Sequence, residues 1–469
     1  MKRPISLSLF VLLATVALSI TGCGSDVNDA APPSGTGLFI SDIHFNPLMD
    51  KTIVDSLAQT PASEWDSIFA LSTQTACATY KHDTNFALLQ SALAAMQQRV
   101  PNPDIIFISG DFLVHEFQTF FNLTPTDHSQ AAYEAFVNKT EQYLAMKFAQ
   151  TFPNAQIAPT LGDWDTDGGT TATYAGPNFL ASFASSWEAA VNRYGGAPDF
   201  KTTFSTGGYY STTFPINAWG RLIVLYTQPW AAECTQGGTL GTDELQWLTA
   251  QLADARSRGQ KVWLLGHIPP GIDANSTAQN IAKGDSCSEA IVPFWADAYS
   301  SQLYPLFTEY RDVLAFGIFA HEHYDDFRVM RDSSGNLIFG MKLPPSITPL
   351  HNNPAFVQFT YDPAAGVITD TTTWYLTNLS SSPTATSAVW EQEYTFDATY
   401  GQTAFDSTGI AGAVAQILTQ SGAQLSYTNY YPTLYPAGDP SGGLTPFLTW
   451  GCALDNLTVA DYSACYCGQ

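Results

Sequence analysis

Gly37-Leu38-Phe39-Ile40-Ser41-Asp42-Ile43-His44 opens on an unbroken apolar run and ends, without a spacer, in a carboxylate and an imidazole. A short apolar run with no polar alternation reads as a strand buried on both faces. The same design recurs along the chain. Asp104 to Ser109 (DIIFIS) runs into Gly110-Asp111, and Gln156 to Leu161 into Gly162-Asp163. Lys261 to Leu265 (KVWLL) delivers Gly266-His267, and Val313 to Phe319 delivers Ala320-His321-Glu322-His323. Donor side chains at the ends of several buried strands can converge on one point, so the strand ends are where the chemistry is expected.

Helical patterns lie between these strands. They cover Phe86 to Gln97, about Gln130 to Ala149, Pro177 to Tyr194, a run from a Thr242 cap to about Ser257, and Ala298 to Arg311. Further strands fit Tyr209 to Phe214, Arg221 to Tyr226, Asp326 to Met330, Leu337 to Met341, Phe356 to Tyr361 and Thr371 to Tyr375. Strands alternating with helices and followed by more strands indicate an α/β sandwich. After about residue 380 the pattern weakens into Gly, Ser, Thr, Tyr and Pro with short helical stretches such as Ile410 to Thr419. The division expected is a main domain over 37–376 and a mostly helical C-terminal cap over 377–469.

The chain has 469 residues, long enough for one large or two ordinary domains with a full core. Lys2 and Arg3 precede an apolar run from Leu7 to Ile20, which reads as a signal peptide over 1–22, too short for a comfortable membrane span. Ile20-Thr21-Gly22-Cys23 has the form of a bacterial lipobox, so Cys23 is the candidate lipidation site; an ordinary signal peptide with a chance cysteine is the alternative. Residues 23–36 read as a flexible tether. Removing 1–22 takes away two bases and no acid, leaving 16 basic and 42 acidic residues and a formal charge of −26. Such a chain repels nucleic-acid backbones, which excludes polymer binding. The expected location is exported: periplasm, cell surface as a lipoprotein, or secreted. Six further cysteines at 77, 234, 287, 452, 465 and 467 suit disulfides in an oxidising compartment, with fifteen possible pairings. A zinc knuckle is the competitor, but no C-x-x-C pair is present.

Seven donors stand out: Asp42, His44, Asp111, Asp163, His267, His321 and His323. Asp42 with His44 and His321 with His323 share an i, i+2 spacing that would put both side chains on one side of an extended segment. Any one of these motifs alone is common. Together, at strand ends, they imply a pair of divalent ions and hydrolytic phosphate chemistry.

The order D-x-H, GD, a third glycine-led motif, GH and a final H-x-H resembles the calcineurin-like metallophosphoesterases. The fuller match is to acid sphingomyelinase-like phosphodiesterases, carried by Gly266-His267-Ile268-Pro269-Pro270-Gly271, Pro345-Ser346-Ile347-Thr348-Pro349, Asn352-Asn353-Pro354-Ala355-Phe356 and Ala398-Thr399-Tyr400-Gly401. The resemblance covers about 37–469. It implies a four-layer αββα sandwich with two metals, usually zinc, about 3.5–4 Å apart. Asp42, His44, Asp111 and His323 would hold one ion, and Asp111, Asp163, His267 and His321 the other. A hydroxide between them would attack the phosphorus of a sphingomyelin-type headgroup ester or of a small phosphodiester or nucleotide. The chain departs from the family at the third motif: Asp163 stands where the family has Asn, and Trp164 where a catalytic His is usual. His115, four residues after Asp111, is the alternative leaving-group acid. Trp164, His351 and Asn353 are candidates for the substrate pocket, whereas Asp165 and Asp167 read as solvated loop residues, with orientation of the metal ligands as the alternative. The resemblance also implies a Cys234–Cys287 disulfide, with Cys452 bonded to Cys465 or Cys467 and Cys77 taking the remaining one. Competing functions are a metal-containing binding protein that has lost turnover, and a periplasmic phosphomonoesterase or nucleotidase. Oligomeric state is not legible.

Overall fold

The computed structural model describes, apart from Met1, residues 34–214, 220–236, 238–434 and 447–468. The signal peptide expected over 1–22, the lipidation site Cys23 and most of the tether lie outside the described residues. Fourteen strands are described: β1 Gly35–Ile40, β2 Ile105–Ile108, β3 Gln156–Pro159, β4 Tyr210–Thr213, β5 Gly220–Val224, β6 Lys261–Leu265, β7 Ile272–Asp273, β8 Val292–Pro293, β9 Leu314–Ile318, β10 Asp326–Arg331, β11 Leu337–Leu343, β12 Ala355–Asp362, β13 Val367–Leu376 and β14 Trp390–Thr395. β1 takes in Gly35 and Thr36, the last residues of the expected tether, because their backbones pair with Tyr361 and Thr360 of β12.

Two six-stranded sheets result, in the orders β14-β13-β12-β1-β2-β3 and β10-β11-β9-β6-β5-β4. In the first, β1, β2 and β3 are parallel and run out to one edge, with antiparallel β12, β13 and β14 on the other side; in the second, parallel β5, β6, β9 and β11 form the centre, with antiparallel β4 and β10 at the edges. The central strands are buried on both faces, as their unbroken apolar runs require. The sheets face each other through Phe39 on Phe316 (ring centroids 6.3 Å apart) and Phe107 on Trp263 (6.0 Å). Thr160 also ties them, donating its hydroxyl to the Leu225 carbonyl at 2.5 Å.

Helices cover both outer faces. Phe86–Arg99, Gln130–Thr151 and Pro177–Val191 lie over the first sheet, and Leu240–Ser257 and Asp297–Glu309 over the second. The four-layer αββα sandwich is therefore the architecture. The N-cap of Leu240–Ser257 is Thr239, three residues upstream of the expected cap, and Thr242 lies within the first turn. Residues 377–468 supply β14, which extends the first sheet, and then helices Ser407–Thr419, Ser421–Tyr430, Phe447–Ala453 and Val459–Tyr466. Ser407–Thr419 packs on β10 and β11 of the second sheet. Phe405, just before it, donates its N–H to Ile368 of β13, and Ser407 bonds Ala315 and Gly340 of the second sheet.

The disulfides are Cys287–Cys467 and Cys452–Cys465. The expected Cys234–Cys287 bridge is thereby corrected. Cys287 opens a four-residue helix on which the C-terminal helix closes, 180 residues downstream. Cys234 and Cys77 are thiols, and burial pushes Cys77 up to about 11, so it is an inert core residue rather than a tail partner. No helix among the described residues is long and apolar enough to cross a membrane.

Candidate active site

The parallel strands of both sheets run towards one end of the sandwich, and the loops leaving β1, β2, β3, β6 and β9 meet there. Main-chain bonds lace them together: Asp42 N–H to Gly110 (3.1 Å), His44 N–H to Asp111 (2.9 Å) and Ala320 N–H to His267 (2.7 Å). Gly110 sits at φ +89°, and a Cβ there would lie 2.6 Å from Gly162 N and 2.9 Å from His267 Nδ1, so only glycine fits.

The i, i+2 pairs reach the site in a way the sequence pattern does not show. Asp42, His44, Asp111, His321 and His323 have φ values of +46°, +42°, +56°, +77° and +68°. The D-x-H and H-x-H segments are thus not extended strand; the strands end earlier, and left-handed residues turn the side chains inward. For side chains with a Cβ this conformation is costly, and it persists where surrounding bonds fix it.

All seven expected donors converge. Oxygen and nitrogen atoms of Asp42, His44, Asp111 and His323 lie within 4.8 Å of one another, and so do those of Asp163, His267 and His321. Asp111 joins the two groups: its Oδ2 is 3.2 Å from His44 Nε2 and 3.3 Å from His267 Nε2. Asp163 Oδ1 is 2.8 Å from His267 Nε2 and 3.0 Å from His321 Nδ1. His323 Nε2 faces His44 Nε2 at 3.3 Å and Asp42 Oδ1 at 3.5 Å. The ring orientations are fixed from behind, because His44 Nδ1–H donates to the Leu113 carbonyl (2.9 Å) and His267 Nδ1–H to that of Ser109 (2.6 Å), turning both Nε2 atoms to the centre.

Electrostatics follow from this crowding. Burial alone would lower His44 and His321, but the carboxylates of Asp111 and Asp163 outweigh it and hold each up at about 9. Burial and the Asp111 charge push Asp163 up, yet His321 and His267 bring it down to about 2. Burial, aided by neighbouring His44 and His115, drives His323 well below its ordinary value. Asp42 is fully buried, and its Oδ1 has no hydrogen-bond partner. An unpartnered carboxylate oxygen amid imidazole nitrogens is costly unless a cation sits there. Four imidazoles and three carboxylates therefore fit a pair of divalent ions.

His115 stands at the edge of this centre. It stacks on His44 (centroids 3.6 Å apart, 19° between planes) and shares a bond of 2.7 Å between its Nδ1 and Asp83 Oδ1. Trp164 meets it edge-on at 5.3 Å and donates its backbone N–H to Asp111 Oδ1 at 3.0 Å. An open cleft of about 190 Å³ adjoins, lined by His115, His321 and His323 with Asp273, Asn275, Phe294, Glu322, Tyr324, Leu350 and His351. His351 thus lines the cleft, but Asn353 does not: it is buried, accepts from the Tyr80 hydroxyl and donates to the carbonyls of Thr433 and Leu434, anchoring the C-terminal region. Asp165 is likewise no solvated loop residue; fully buried, it accepts the N–H groups of Phe112, Leu113 and Gly162 and so shapes the loop that carries Asp111. Sequence reading missed Asp83, for which no motif exists, and the cleft residues Asp273, Phe294 and Tyr324.

Human acid sphingomyelinase-like phosphodiesterase 3b is 24% identical over 399 residues, covering 82% of this chain and 81% of that protein. Sphingomyelinase phosphodiesterase C of Dictyostelium discoideum is 27% identical over 450 residues, 91% of each chain. A human cyclic GMP-AMP phosphodiesterase is 26% identical over 329 residues, 67% of each. Among solved structures, PhoD covers 77% of this chain and 69% of its own at 12% identity and a TM-score of 0.42. The family model of the calcineurin-like phosphoesterases matches residues 37–325, and the chain belongs to that family.

Proposed function

We propose that the chain is an exported two-metal phosphodiesterase, held at a membrane by lipid on Cys23. The observation that carries the catalytic part is the sharing of Asp111 Oδ2 between two ligand sets, at 3.2 and 3.3 Å. Asp42, His44, Asp111 and His323 would hold one ion, and Asp111, Asp163, His267 and His321 the other. Zinc suits these nitrogen and carboxylate donors. When bound, the ions would supply an activated water and neutralise the phosphoryl oxygens.

The chain's own residues do the rest. Asp111 is oriented by the Trp164 N–H, so the residue that replaces the usual histidine still serves the centre through its backbone. His115, fixed by Asp83 and facing the cleft beside His44 and His323, gives its proton to the leaving oxygen. Among the described residues, the cleft's lining holds four histidines, the carboxylates Asp273 and Glu322 and the rings of Phe294 and Tyr324, and neither lysine nor arginine. Histidines aside, a second phosphate would meet no permanently cationic side chain there. That favours a diester with one phosphate and a neutral or cationic substituent, as in a sphingomyelin-type headgroup ester, over a cyclic dinucleotide.

Relative rates test this reading. We expect p-nitrophenyl phosphate to turn over more slowly than bis(p-nitrophenyl) phosphate, and cyclic GMP-AMP more slowly than sphingomyelin in vesicles. A monoester preference would point to a nucleotidase-like enzyme, and absence of all turnover in metal-loaded protein to a binding protein.

A further inference from the structure

Arg328 on β10 is wholly buried, an unusual place for a guanidinium. It is clamped between two carboxylates. One of its terminal nitrogens meets Glu322 Oε2, and its Nε lies 3.0 Å from Asp326 Oδ2. A third bond runs from Nη1 to the Ile272 carbonyl at 3.4 Å. Glu322 is the middle residue of His321-Glu322-His323, and the residues on either side of it hold φ values of +77° and +68°. One backbone segment therefore carries a donor for each ligand set, is strained at both donors, and is gripped between them by a buried ion pair.

The grip is anchored in the C-terminal region. Asp326 Oδ1 accepts from the Tyr427 hydroxyl (2.8 Å), and the Asp325 N–H donates to the Tyr431 carbonyl (2.9 Å). Val329 N–H donates to Leu454 (2.8 Å), beside the Cys452–Cys465 disulfide. This packing keeps water from the ion pair, so the pair is held in a medium where breaking it is expensive.

We infer that Arg328, acting through Glu322, is the positioning residue that holds His321 and His323 in their left-handed, inward-facing geometry, and that affinity for both ions depends on it. The inference rests on the two-metal reading above, and the guanidinium touches none of the seven donors itself.

Zinc affinity, measured by chelator competition on the purified full chain, tests it. Glu322→Gln keeps the size of the side chain and a hydrogen bond to Arg328 but removes the charge; Arg328→Lys keeps a charge but loses the fork. Loss of a residue that orients metal ligands commonly weakens binding by about 10–100-fold, and that loss is expected for both zinc ions in each variant. Lys342→Met is the control. It breaks another buried ion pair nearby, between Lys342 on β11 and Asp325 just before β10, and should lower the melting temperature while leaving zinc affinity unchanged. Should Arg328→Lys not fold, Glu322→Gln decides alone. Wild-type and Glu322→Gln proteins binding two zinc ions equally well would overturn the inference and leave the two-metal reading standing. Wild-type protein that binds no zinc would overturn both.

Discussion

Asp111 carries the heaviest duty of any single residue, since one of its oxygens faces both ligand sets and the other takes the Trp164 N–H. His115 is the next. With Asp83 it forms a carboxylate–imidazole pair at the cleft edge. If it protonates the leaving oxygen, His115→Ala should slow hydrolysis of an alkyl phosphodiester by about 10²–10⁴-fold. A p-nitrophenyl diester, whose leaving group departs without a proton, should slow far less. Equal losses on both substrates would make His115 a structural residue. The seven donors were legible because their residue types are rare at strand ends and recur in a fixed order. Asp83 was not, because its bond to His115 spans 32 residues and no spacing announces it. Asn353 misled for the converse reason: the motif places it near the site, but packing turns its amide towards the C-terminal region.

At the scale of elements, the buried strands were readable because a run with both faces covered has no polar alternation. The loops after them were not. A sequence cannot show that Asp42 and His44 leave the extended conformation, since the cause lies in bonds from distant segments, such as Thr348 N–H to the Asp42 carbonyl (3.2 Å). Gly110 is one point where these loops come close. Gly110→Ala combines a positive φ with a collision against Gly162 and His267, so it should cost about 1–3 kcal/mol in denaturant unfolding. Gly259, also at positive φ (+65°) but with nothing within 4 Å of a Cβ, is the comparison: alanine there should cost less and leave zinc binding intact. Equal costs at the two glycines would show that the loop approach adds nothing to the backbone strain.

For the whole molecule, charge and cross-links give two expectations. In metal-free protein His44 and His321 are held up at about 9 by Asp111 and Asp163, against 6.5 when unfolded. A raised histidine contributes stability that is complete below pH 6.5 and is lost as pH rises through about 9. The melting temperature of apoprotein should therefore fall between about pH 7 and 9.5, and zinc binding at pH 7.5 should release protons measurable by calorimetry in buffers of different ionisation enthalpy. An apoprotein whose stability rises across that window has the opposite linkage. The Cys287–Cys467 bridge spans 180 residues, and its loss through Cys467→Ser should cost about 2–5 kcal/mol. Cys234→Ser should cost nothing comparable. The sandwich as a whole could be read from alternating strands and helices, and the resemblance carried Cys452 to Cys465 or Cys467, but the Cys287–Cys467 pairing could not be read. That pairing is decided by where the last helices dock, and the weak patterning after residue 380 gives no register for that.

The shared-carboxylate centre is the claim on which the functional account stands, and turnover of bis(p-nitrophenyl) phosphate by the mature chain, with zinc added or chelated, beside Asp111→Asn, tests it most directly. Zinc-dependent hydrolysis that the substitution abolishes, in protein that remains folded, is the expected result. Hydrolysis that persists in the chelated protein or in Asp111→Asn would contradict it.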